Sequence, residues 1–380
     1  MGNEITMARQ TLQKRIMGCE GVPVSEERPH FFDLSRVKER LILENLFKKK
    51  QITRVIDDYQ NEKEEARSIA HPARKQAAGS FADERPCTRK ILDLKAGCWV
   101  FYPWRSSLVH ILNSSSFQKL RLSRNQNLIS SAEQIILSKA KIGIAGLNVG
   151  NPAAVALALE GVGKVFRLAD FDALSLTNLN RFRAGVCDLG ANKAILTARQ
   201  MYEINPYLAI KVSDKGVTPG RTENFLLQPR LDILIEETDH LPLKIELREK
   251  AKKFKIPVIM ATGNGANLIL DVERYDINPR LLILNGALEP GVQKEIYRLN
   301  DSDFSLTRRV GLARDFIGAK WLTKKMCQSF REVGKTLAGI PQLAETSFLR
   351  GAVLCYATRQ ILLKRGFPSG RYIVSLDDVV

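Results

Sequence analysis

The chain has 380 residues, a hydrophobic fraction of 44% and a formal net charge of +17 at pH 7. This length and composition are typical of a globular protein with two or three compact units, and no apolar run is long enough to cross a bilayer. Charges scattered over residues 1–20 also argue against a secretory signal. The basic excess lacks a zinc-finger or RNA-recognition signature, so we expect neither specific nucleic-acid binding nor membrane association.

Cysteine spacing bears on metal binding and on compartment. The six cysteines are far apart in sequence and form no CxxC pair, which is unlike a disulfide framework or a structural zinc site. We therefore expect no zinc and a reducing, cytoplasmic environment. The cysteines are Cys19, Cys87, Cys98, Cys187, Cys327 and Cys355.

The first quarter of the chain is polar and mostly helical in pattern. Apolar residues at helical spacing predict helices over residues 37–47 and 52–67. Residues 99–113 are instead aromatic and rich in β-formers, which predicts one or two strands that pack on the main domain. No chemistry is assigned to this part of the chain.

Residues 141–172 have the pattern of a strand, a tight glycine turn, a helix and a second strand that ends on two carboxylates. Residues 141–146 form the short apolar run that a buried parallel strand needs. Gly146 and Gly150 bracket the turn, where the backbone bends sharply and approaches a ligand closely. Asp170 follows the second strand, at the sheet edge where an acid accepts hydrogen bonds from a ribose. The unit predicts nucleotide binding, and by itself it suits ATP, nicotinamide, flavin or a methyl donor.

The helix of this unit is predicted over residues 153–159, with Asn151 as its N-cap and Pro152 in its first turn. Strands and helices alternate beyond it, which predicts a Rossmann-like, doubly wound, mostly parallel α/β sheet. Further strands are predicted over residues 209–212, 231–236, 257–261, 268–273, 281–284 and 371–376. Further helices are predicted over residues 131–137, 192–204, 222–227, 243–254, 314–334 and 348–363.

These patterns divide the chain into three regions. A helical N-terminal extension covers residues 1–95, and a nucleotide-binding α/β domain covers residues 96–280. The last region, residues 281–380, is basic and α+β in pattern, and we expect it to complete the fold or to bind the partner.

A series of polar motifs follows the glycine turn in a fixed order. Asp170 and Asp172 are followed by the stretch SLTNLNR over residues 175–181, then by Lys193, and then by Thr238 and Asp239 after a later strand. This order and spacing resemble the ThiF/MoeB-type adenylyltransferases, relatives of the ubiquitin-activating enzymes. That family carries a glycine loop, D-x-D, S-N-L-x-R, a lysine and T-D. The resemblance covers about residues 121–276.

The resemblance implies a role for each matching residue. Asp170 would bind the ATP ribose, within a nucleotide site that also includes Gly146, Gly150 and Asp172. The residues that would contact or neutralise the triphosphate are Asn178, Arg181 and Lys193.

Two further residues receive roles in the same way. Asp239 would hold Mg²⁺ near the α-phosphate. Arg124 lies in an R-x-x-R segment that in this family reaches the phosphates of the neighbouring subunit, which implies a homodimer. The implied cofactors are therefore ATP and Mg²⁺.

The implied activity is ATP-dependent adenylation of a carboxylate, at the C-terminus of a small sulfur-carrier or ubiquitin-like protein or of a peptide. A stretch similar to ADFD…NLNR occurs in relatives linked to molybdopterin biosynthesis, which suggests that pathway. Two departures from the family stand out. Asn148 and Val149 replace loop glycines and would crowd the nucleotide, and residues 289–301 lack a thioester-forming cysteine.

Two other functions remain open from the sequence. The first is a catalytically weak nucleotide-binding scaffold, which the altered glycine loop favours. The second is a NAD(P)-dependent oxidoreductase built on the same strand–helix–strand unit. An oxidoreductase would need a proton donor at the sheet edge, where His240 is the nearby histidine.

Overall fold

The computed structural model describes residues 26–71, 96–218, 220–299 and 305–377. These residues form two compact units, one from residues 26–63 and 96–112 and the other from residues 64–71 and from 113 onward. Cys19 and Cys87 lie outside the described residues. Within the described ranges, no helix is both long and apolar enough to cross a membrane.

The first unit is built on a four-stranded sheet in the order β1-β3-β4-β2. Strand β2 runs parallel to β4, whereas the other neighbours are antiparallel. The strands are β1 (His30–Phe32), β2 (Arg54–Asp57), β3 (Cys98–Tyr102) and β4 (Ser107–Ile111), and the helices that follow β1 and β2 are α1 (Val37–Lys48) and α2 (Tyr59–Ala70). The buried core of the unit consists of Leu34, Leu43, Ile52, Trp99, Phe101 and Leu108.

One prediction about this unit needs correction. The helix predicted over residues 52–67 is a strand followed by a helix, because Val55 and Ile56 are β-branched and pair with β4. Asp57 then accepts a hydrogen bond from the Tyr59 amide at the start of α2. Residues 99–113 contain the predicted strands, which pair with β1 and β2 within this unit. These strands belong to the first compact unit, which ends at residue 112.

The second unit contains a seven-stranded sheet in the order β11-β10-β9-β8-β5-β6-β7. Strands β7, β6, β5, β8 and β9 are parallel, and β10 and β11 add an antiparallel edge. The strands are β5 (Lys141–Ala145), β6 (Val165–Ala169), β7 (Ala209–Ser213), β8 (Ile233–Glu236), β9 (Val258–Asn264), β10 (Asn267–Glu273) and β11 (Gly370–Val374). The predicted doubly wound, mostly parallel α/β fold is confirmed.

Helices cover this sheet and provide the second layer that a buried parallel sheet requires. Strands β8 and β10 are buried along their whole length. The helices of the unit are α3 (Ser114–Arg121), α4 (Ser131–Leu137), α5 (Leu147–Glu160), α6 (Lys193–Ile204), α7 (Thr222–Leu227), α8 (Leu241–Lys253), α9 (Pro290–Tyr297), α10 (Leu306–Ile317), α11 (Lys324–Glu332) and α12 (Ala344–Leu362).

The chain order reverses at the centre of this sheet. The path leaves β5 towards β6 and β7 on one side, and returns to β8 and β9 on the other. The crossovers therefore diverge between β5 and β8 and leave a crevice at the carboxyl ends of these strands. Open α/β sheets bind ligands at this position.

Three predicted elements differ in the structure. Helix α5 begins at Leu147, and Asn151 lies buried inside it and donates to Thr197 and Gln200 instead of capping it. The strand predicted over residues 281–284 is a 3₁₀ helix, Ile283–Gly286. The helix predicted over residues 314–334 is divided into α10 and α11, because Gly318 adopts a φ of 88°.

A buried ion network joins α8 to the sheet. Arg248 is fully buried, and its Nε donates to Glu273 on β10 at 2.8 Å while its Nη1 pairs with Glu236 on β8. Lys244 adds a third contact to Glu236 at 3.1 Å. Burial alone would raise the pKa of Glu236, but the charges of Lys244 and Arg248 outweigh it and hold the pKa at about 2. The network thus keeps charged groups inside the core by mutual pairing.

We predict that Arg248→Met strongly destabilises the second unit, because it leaves Glu236 and Glu273 buried without their shared cation. The expected loss of unfolding free energy is about 3–5 kcal/mol, measured by urea unfolding. Lys253→Met is the matched control, since Lys253 on the same helix pairs with Glu223 in solvent and its loss should leave the urea midpoint unchanged. Equal midpoints for both variants would contradict the prediction.

Candidate active site

A cavity of about 440 Å³ opens in the crevice between β5 and β8. Its described walls come from the turns that follow β5, β6, β7 and β8, together with the start of α8 and one residue before α12. The lining residues are Gly146, Asn148, Val149, Ala169, Asp170, Phe171, Asp172, Lys215, Gly216, Val217, Thr218, Glu237, Thr238, Asp239, His240, Pro242, Leu243, Glu246 and Gln342.

The glycine turn forms the floor of the cavity. Gly146 has a φ of 85°, and a Cβ there would lie 2.3 Å from the backbone oxygen of Glu237. Gly150 does not line the cavity, because it faces the strand, where a Cβ would lie 2.7 Å from Ile144. The first glycine therefore permits the turn, and the second permits close packing of the helix on the sheet.

Asn148 and Val149, which replace glycines of the family pattern, point side chains at the cavity. Both residues lie in the first turn of α5 and belong to the lining. The Oδ1 atom of Asn148 is buried and has no hydrogen-bond partner among the described residues. Both residues therefore line the cavity at the start of α5, and the crowding of a nucleotide stays a prediction.

Asp170 is positioned by the loop that it helps to order. Its Oδ2 accepts from the Leu147 amide at 2.5 Å, and its Oδ1 accepts from the Asp172 amide at 2.8 Å. Only 7% of Asp170 is exposed, and burial raises the pKa of its carboxyl. Each carboxylate oxygen can accept two hydrogen bonds, so Asp170 retains capacity for a ligand.

Lys193 is held by one of the cavity acids. Its Nζ lies 2.9 Å from Oδ2 of Asp172, and Lys193 is only 3% exposed. Asp172 lines the cavity and Lys193 does not. In this conformation the lysine charge is therefore neutralised at the edge of the cavity and does not project into it.

Asn178 and Arg181 are not part of the described cavity lining. The Asn178 Oδ1 accepts from the Ser175 amide at 3.1 Å, which closes a 3₁₀ turn, Leu176–Asn178. Arg181 donates to the Thr177 carbonyl at 2.9 Å, while its Nε is buried without a described partner. Burial lowers the pKa of the Arg181 guanidinium.

The loop of Arg181 is bonded to the segment that precedes and begins α12. The Asn180 side chain donates to the Gln342 carbonyl at 2.9 Å, and the Ser347 hydroxyl donates to the Arg181 carbonyl at 2.9 Å. Gln342 also lines the cavity. The C-terminal region therefore supplies part of the site wall.

Arg124 is exposed on a 3₁₀ turn before α4 and is absent from the described lining. Its neighbour Arg121 is committed to the C-terminus of α5, where it donates to the carbonyls of Ala158 and Leu159. Burial lowers the pKa of Arg121 to about 10. Of the two arginines, Arg124 is the one that points to solvent.

Asp239 is an exposed acid that follows β8 and lines the cavity. His240, next to it, is the N-cap of α8, and its Nδ1 accepts from the Leu243 amide at 3.2 Å. This hydrogen bond makes His240 a structural cap. An exposed carboxylate at the mouth of an acidic cavity is a suitable ligand for a hard cation.

Glu237 is a cavity residue to which the sequence assigned no role. Its Oε1 accepts from the Ala261 amide at 2.6 Å, and burial raises the pKa of its carboxyl to about 7 in spite of the nearby Lys244 and Arg350. The sequence feature that could have identified Glu237 is its position, directly after a buried strand and two residues before Asp239.

Arg350, on α12, is a second residue that sequence reasoning missed. It is 5% exposed, and its Nη2 lies 2.0 Å from the position that a Cβ on Gly263 would occupy. Burial lowers the pKa of Arg350, while the charge of Glu237 opposes and that of Arg181 reinforces this shift. Because α12 is strongly apolar in sequence, its pattern predicted a core helix and hid the arginine.

The described lining is rich in acids. It contains one lysine, Lys215, and five carboxylates: Asp170, Asp172, Glu237, Asp239 and Glu246. Such a cavity repels a polyphosphate unless cations accompany it. A polyphosphate in this cavity would therefore need additional cations to neutralise its charge.

Comparison with known proteins identifies related sequences. The ThiF family matches residues 122–267. The uncharacterized protein MT1398 of Mycobacterium tuberculosis (strain CDC 1551 / Oshkosh) is 37% identical over 303 residues, which are 78% of this chain and 41% of that protein. The chain therefore spans less than half the length of this relative.

Two relatives carry functional names. The tRNA threonylcarbamoyladenosine dehydratase of Bacillus subtilis (strain 168) is 31% identical over 185 residues, 46% of this chain and 72% of that protein. The molybdopterin-synthase adenylyltransferase of Haemophilus influenzae (strain ATCC 51907 / DSM 11121 / KW20 / Rd) is 28% identical over 174 residues, 44% of this chain and 70% of that protein.

We predict that Glu237→Gln changes how stability depends on pH. Between pH 4.5 and about 7 the folded protein keeps a proton on Glu237 that the unfolded chain releases, so wild-type stability falls through this window. The glutamine variant has no carboxyl at position 237, so its stability does not fall for this reason. Its urea midpoint should therefore rise relative to wild type from pH 5 to pH 8.

The control for this experiment is Glu345→Gln, at an exposed position of α12. Its midpoint should keep a constant offset from wild type over the same range. A Glu237→Gln offset that is equally constant would contradict a raised pKa at Glu237.

Proposed function

Because the chain belongs to the ThiF family, we propose that it is an ATP-dependent adenylyltransferase that activates a carboxylate. The observation that carries the proposal is the cavity at the β5–β8 crevice, which is bounded by the Gly146 turn, Asp170 and Asp239. The proposed products are an acyl-adenylate and pyrophosphate.

The proposed reaction needs no protein nucleophile. A carboxylate oxygen of the acceptor attacks the α-phosphorus of ATP and forms a C–O–P linkage. The bond between the α-phosphorus and the bridging oxygen breaks, and pyrophosphate leaves with that oxygen and its electron pair. Cys187 and Cys327 are free, and neither lines the cavity. We therefore propose that the acyl group is passed to neither of these two cysteines.

Asp170 is proposed to bind the ribose hydroxyls. The support is its place at the end of β6, with capacity left on both oxygens after the bonds to Leu147 and Asp172. Gly146 lets the backbone of the turn approach the nucleotide, while Gly150 contributes by packing α5 onto β5. Both roles are typical of the first turn in dinucleotide and nucleotide folds.

Asn178, Arg181 and Lys193 are proposed to bind the triphosphate. None of the three belongs to the described lining, and each is hydrogen-bonded to protein groups in this conformation. For Lys193 to reach a phosphate it must leave Asp172, so the negative charge of ATP would compete with that carboxylate. Arg350, close to Arg181, would add a further buried cation. Arginine suits phosphate binding because it can donate two hydrogen bonds to one phosphate, and lysine suits it because it carries a compact positive charge.

Mg²⁺ is proposed as the accompanying cation, with Asp239 as its protein ligand. Mg²⁺ commonly takes one or two carboxylates and completes its shell with phosphate oxygens and water, and one exposed Asp fits this requirement. Among the described residues, no group of three His, Cys, Asp or Glu side chains forms a metal cage. When bound, Mg²⁺ would offset charge on the phosphates.

The acceptor and the assembly belong to the same proposal. We propose that the acceptor is the C-terminus of a small sulfur-carrier or ubiquitin-like protein or of a peptide, and that the enzyme works in the cytoplasm as a homodimer. The exposure of Arg124 supports the dimer, since a solvent-facing arginine is available to a second subunit. A role in molybdopterin biosynthesis is one specific form of the proposal, supported by the named relative.

ATP–pyrophosphate exchange by the purified protein with Mg²⁺, with and without candidate acceptors, tests the activity. Exchange that requires one acceptor is the expected outcome. Binding of ATP without exchange for any acceptor would favour the nucleotide-binding scaffold, which the side chains of Asn148 and Val149 in the cavity also favour.

We predict that Asp239→Asn lowers exchange by about a hundredfold while the fold is kept, because Asp239 is exposed and has no structural role. Exchange at saturating Mg²⁺ and the urea midpoint are both measured. Asp214→Asn, an exposed acid outside the lining, is the matched control and should retain exchange. Full exchange by Asp239→Asn would contradict the assignment of Asp239 as the Mg²⁺ ligand.

We predict that Asp170→Ala weakens ATP binding by about tenfold, which corresponds to about 1.4 kcal/mol. The variant loses both the proposed ribose acceptor and the hydrogen bond that orders Leu147. Isothermal titration with ATP measures the change, and Asp214→Ala serves as the control. An ATP affinity equal to wild type would exclude a ribose contact by Asp170.

A further inference from the structure

A second cavity, of about 660 Å³, adjoins the proposed nucleotide site. Both cavities lie within the second unit. Four residues belong to both linings: Phe171, Asp239, His240 and Pro242. The other described residues of the second cavity are Leu241, Leu299, Leu306, Arg309, Val310, Ala313 and Ile340.

The two ends of this second cavity differ in chemistry. The shared wall carries the exposed Asp239 and His240, whereas the rest of the described lining is aliphatic except for Arg309 on α10. Two apolar residues of the lining are open to solvent, since Phe171 is 65% exposed and Leu306 is 52% exposed. The cavity therefore combines a polar mouth at Asp239 with an apolar interior.

We propose that the second cavity binds the carboxyl-terminal residue of a polypeptide acceptor, and that it selects a bulky apolar side chain at that residue. This inference rests on the proposed function. The acceptor carboxylate would lie at the shared wall, beside the ATP α-phosphate and Asp239, and its side chain would fill the aliphatic interior.

The size and lining argue for such an occupant. A cavity of several hundred Å³ lined mainly by apolar groups is the usual form of a site for a side chain or small molecule. A terminal glycine has no side chain and would leave the interior hydrated, whereas leucine or phenylalanine would displace that water. A nucleoside would need polar partners along its base edges, and the aliphatic far walls provide few.

The test uses three synthetic peptides, Ala-Ser-Gly-Leu, Ala-Ser-Gly-Phe and Ala-Ser-Gly-Gly, each with a free carboxylate. ATP–pyrophosphate exchange is measured with each one, and peptide affinity is measured separately in the presence of a non-hydrolysable ATP analogue. We expect the Leu or Phe peptide to have a KM and a Kd about tenfold lower than the Gly peptide.

Leu306→Glu places a charge in the apolar interior and should abolish this preference while ATP affinity stays unchanged. Position 306 is the first residue of α10, where an acidic side chain suits the helix dipole, so the variant should fold. Leu282→Glu is the matched control, because Leu282 is 66% exposed and outside both linings. It should keep the wild-type preference.

Several outcomes would overturn the inference. Equal affinity for all three peptides, a preference for the Gly peptide, or an unchanged preference in Leu306→Glu would each do so. Exchange stimulated by bulk tRNA and by no peptide would assign the cavity to a nucleic-acid acceptor instead. Selective peptide binding without exchange would support the acceptor cavity and contradict the proposed adenylation. A failure of the adenylation proposal can therefore be distinguished from a failure of the cavity proposal.

Discussion

The close approach of the Gly146 turn to the backbone of Glu237 is the constraint on which the site depends. Any side chain at position 146 would collide with the carbonyl of Glu237, since a Cβ would lie only 2.3 Å from its oxygen. This contact joins the end of β5 to the end of β8, at the point where the sheet reverses its direction of winding. Asp170 then bonds to the first residue of α5, and β6 joins the same edge. The acids that follow β6 and β8 thereby meet around one cavity.

Charge balance distinguishes the core from the site. In the core, Arg248 and Lys244 compensate Glu236, and the pairing keeps the pKa of that acid low. At the site, Glu237 lies one residue further along, and burial raises the pKa of its carboxyl to about 7. Adjacent glutamates thus have opposite shifts because one faces the cation network and the other faces the cavity.

The sequence predicted the parts of the fold that depend on local pattern. The apolar runs of β5, β6 and β8 and the glycine turn identified the sheet and its ligand edge, and Asp170 and Asp239 line the cavity as their positions after strands implied. Predictions failed where distant packing decides the outcome. Asn151 has the chemistry of a cap, yet its partners Thr197 and Gln200 lie on a helix more than forty residues away. Likewise, no local pattern could bring Arg350 from α12 to Gly263.

The hydrogen bonds from Asn180 to Gln342 and from Ser347 to Arg181 have a thermodynamic consequence. The segment that they fasten contributes Gln342 to one cavity and Ile340 to the other, so a ligand in either cavity contacts the same short stretch of chain. If a ligand in the first cavity changes the conformation of this stretch, it also changes the binding free energy of a ligand in the second cavity. By reciprocity, the factor by which nucleotide changes acceptor affinity must equal the factor by which acceptor changes nucleotide affinity.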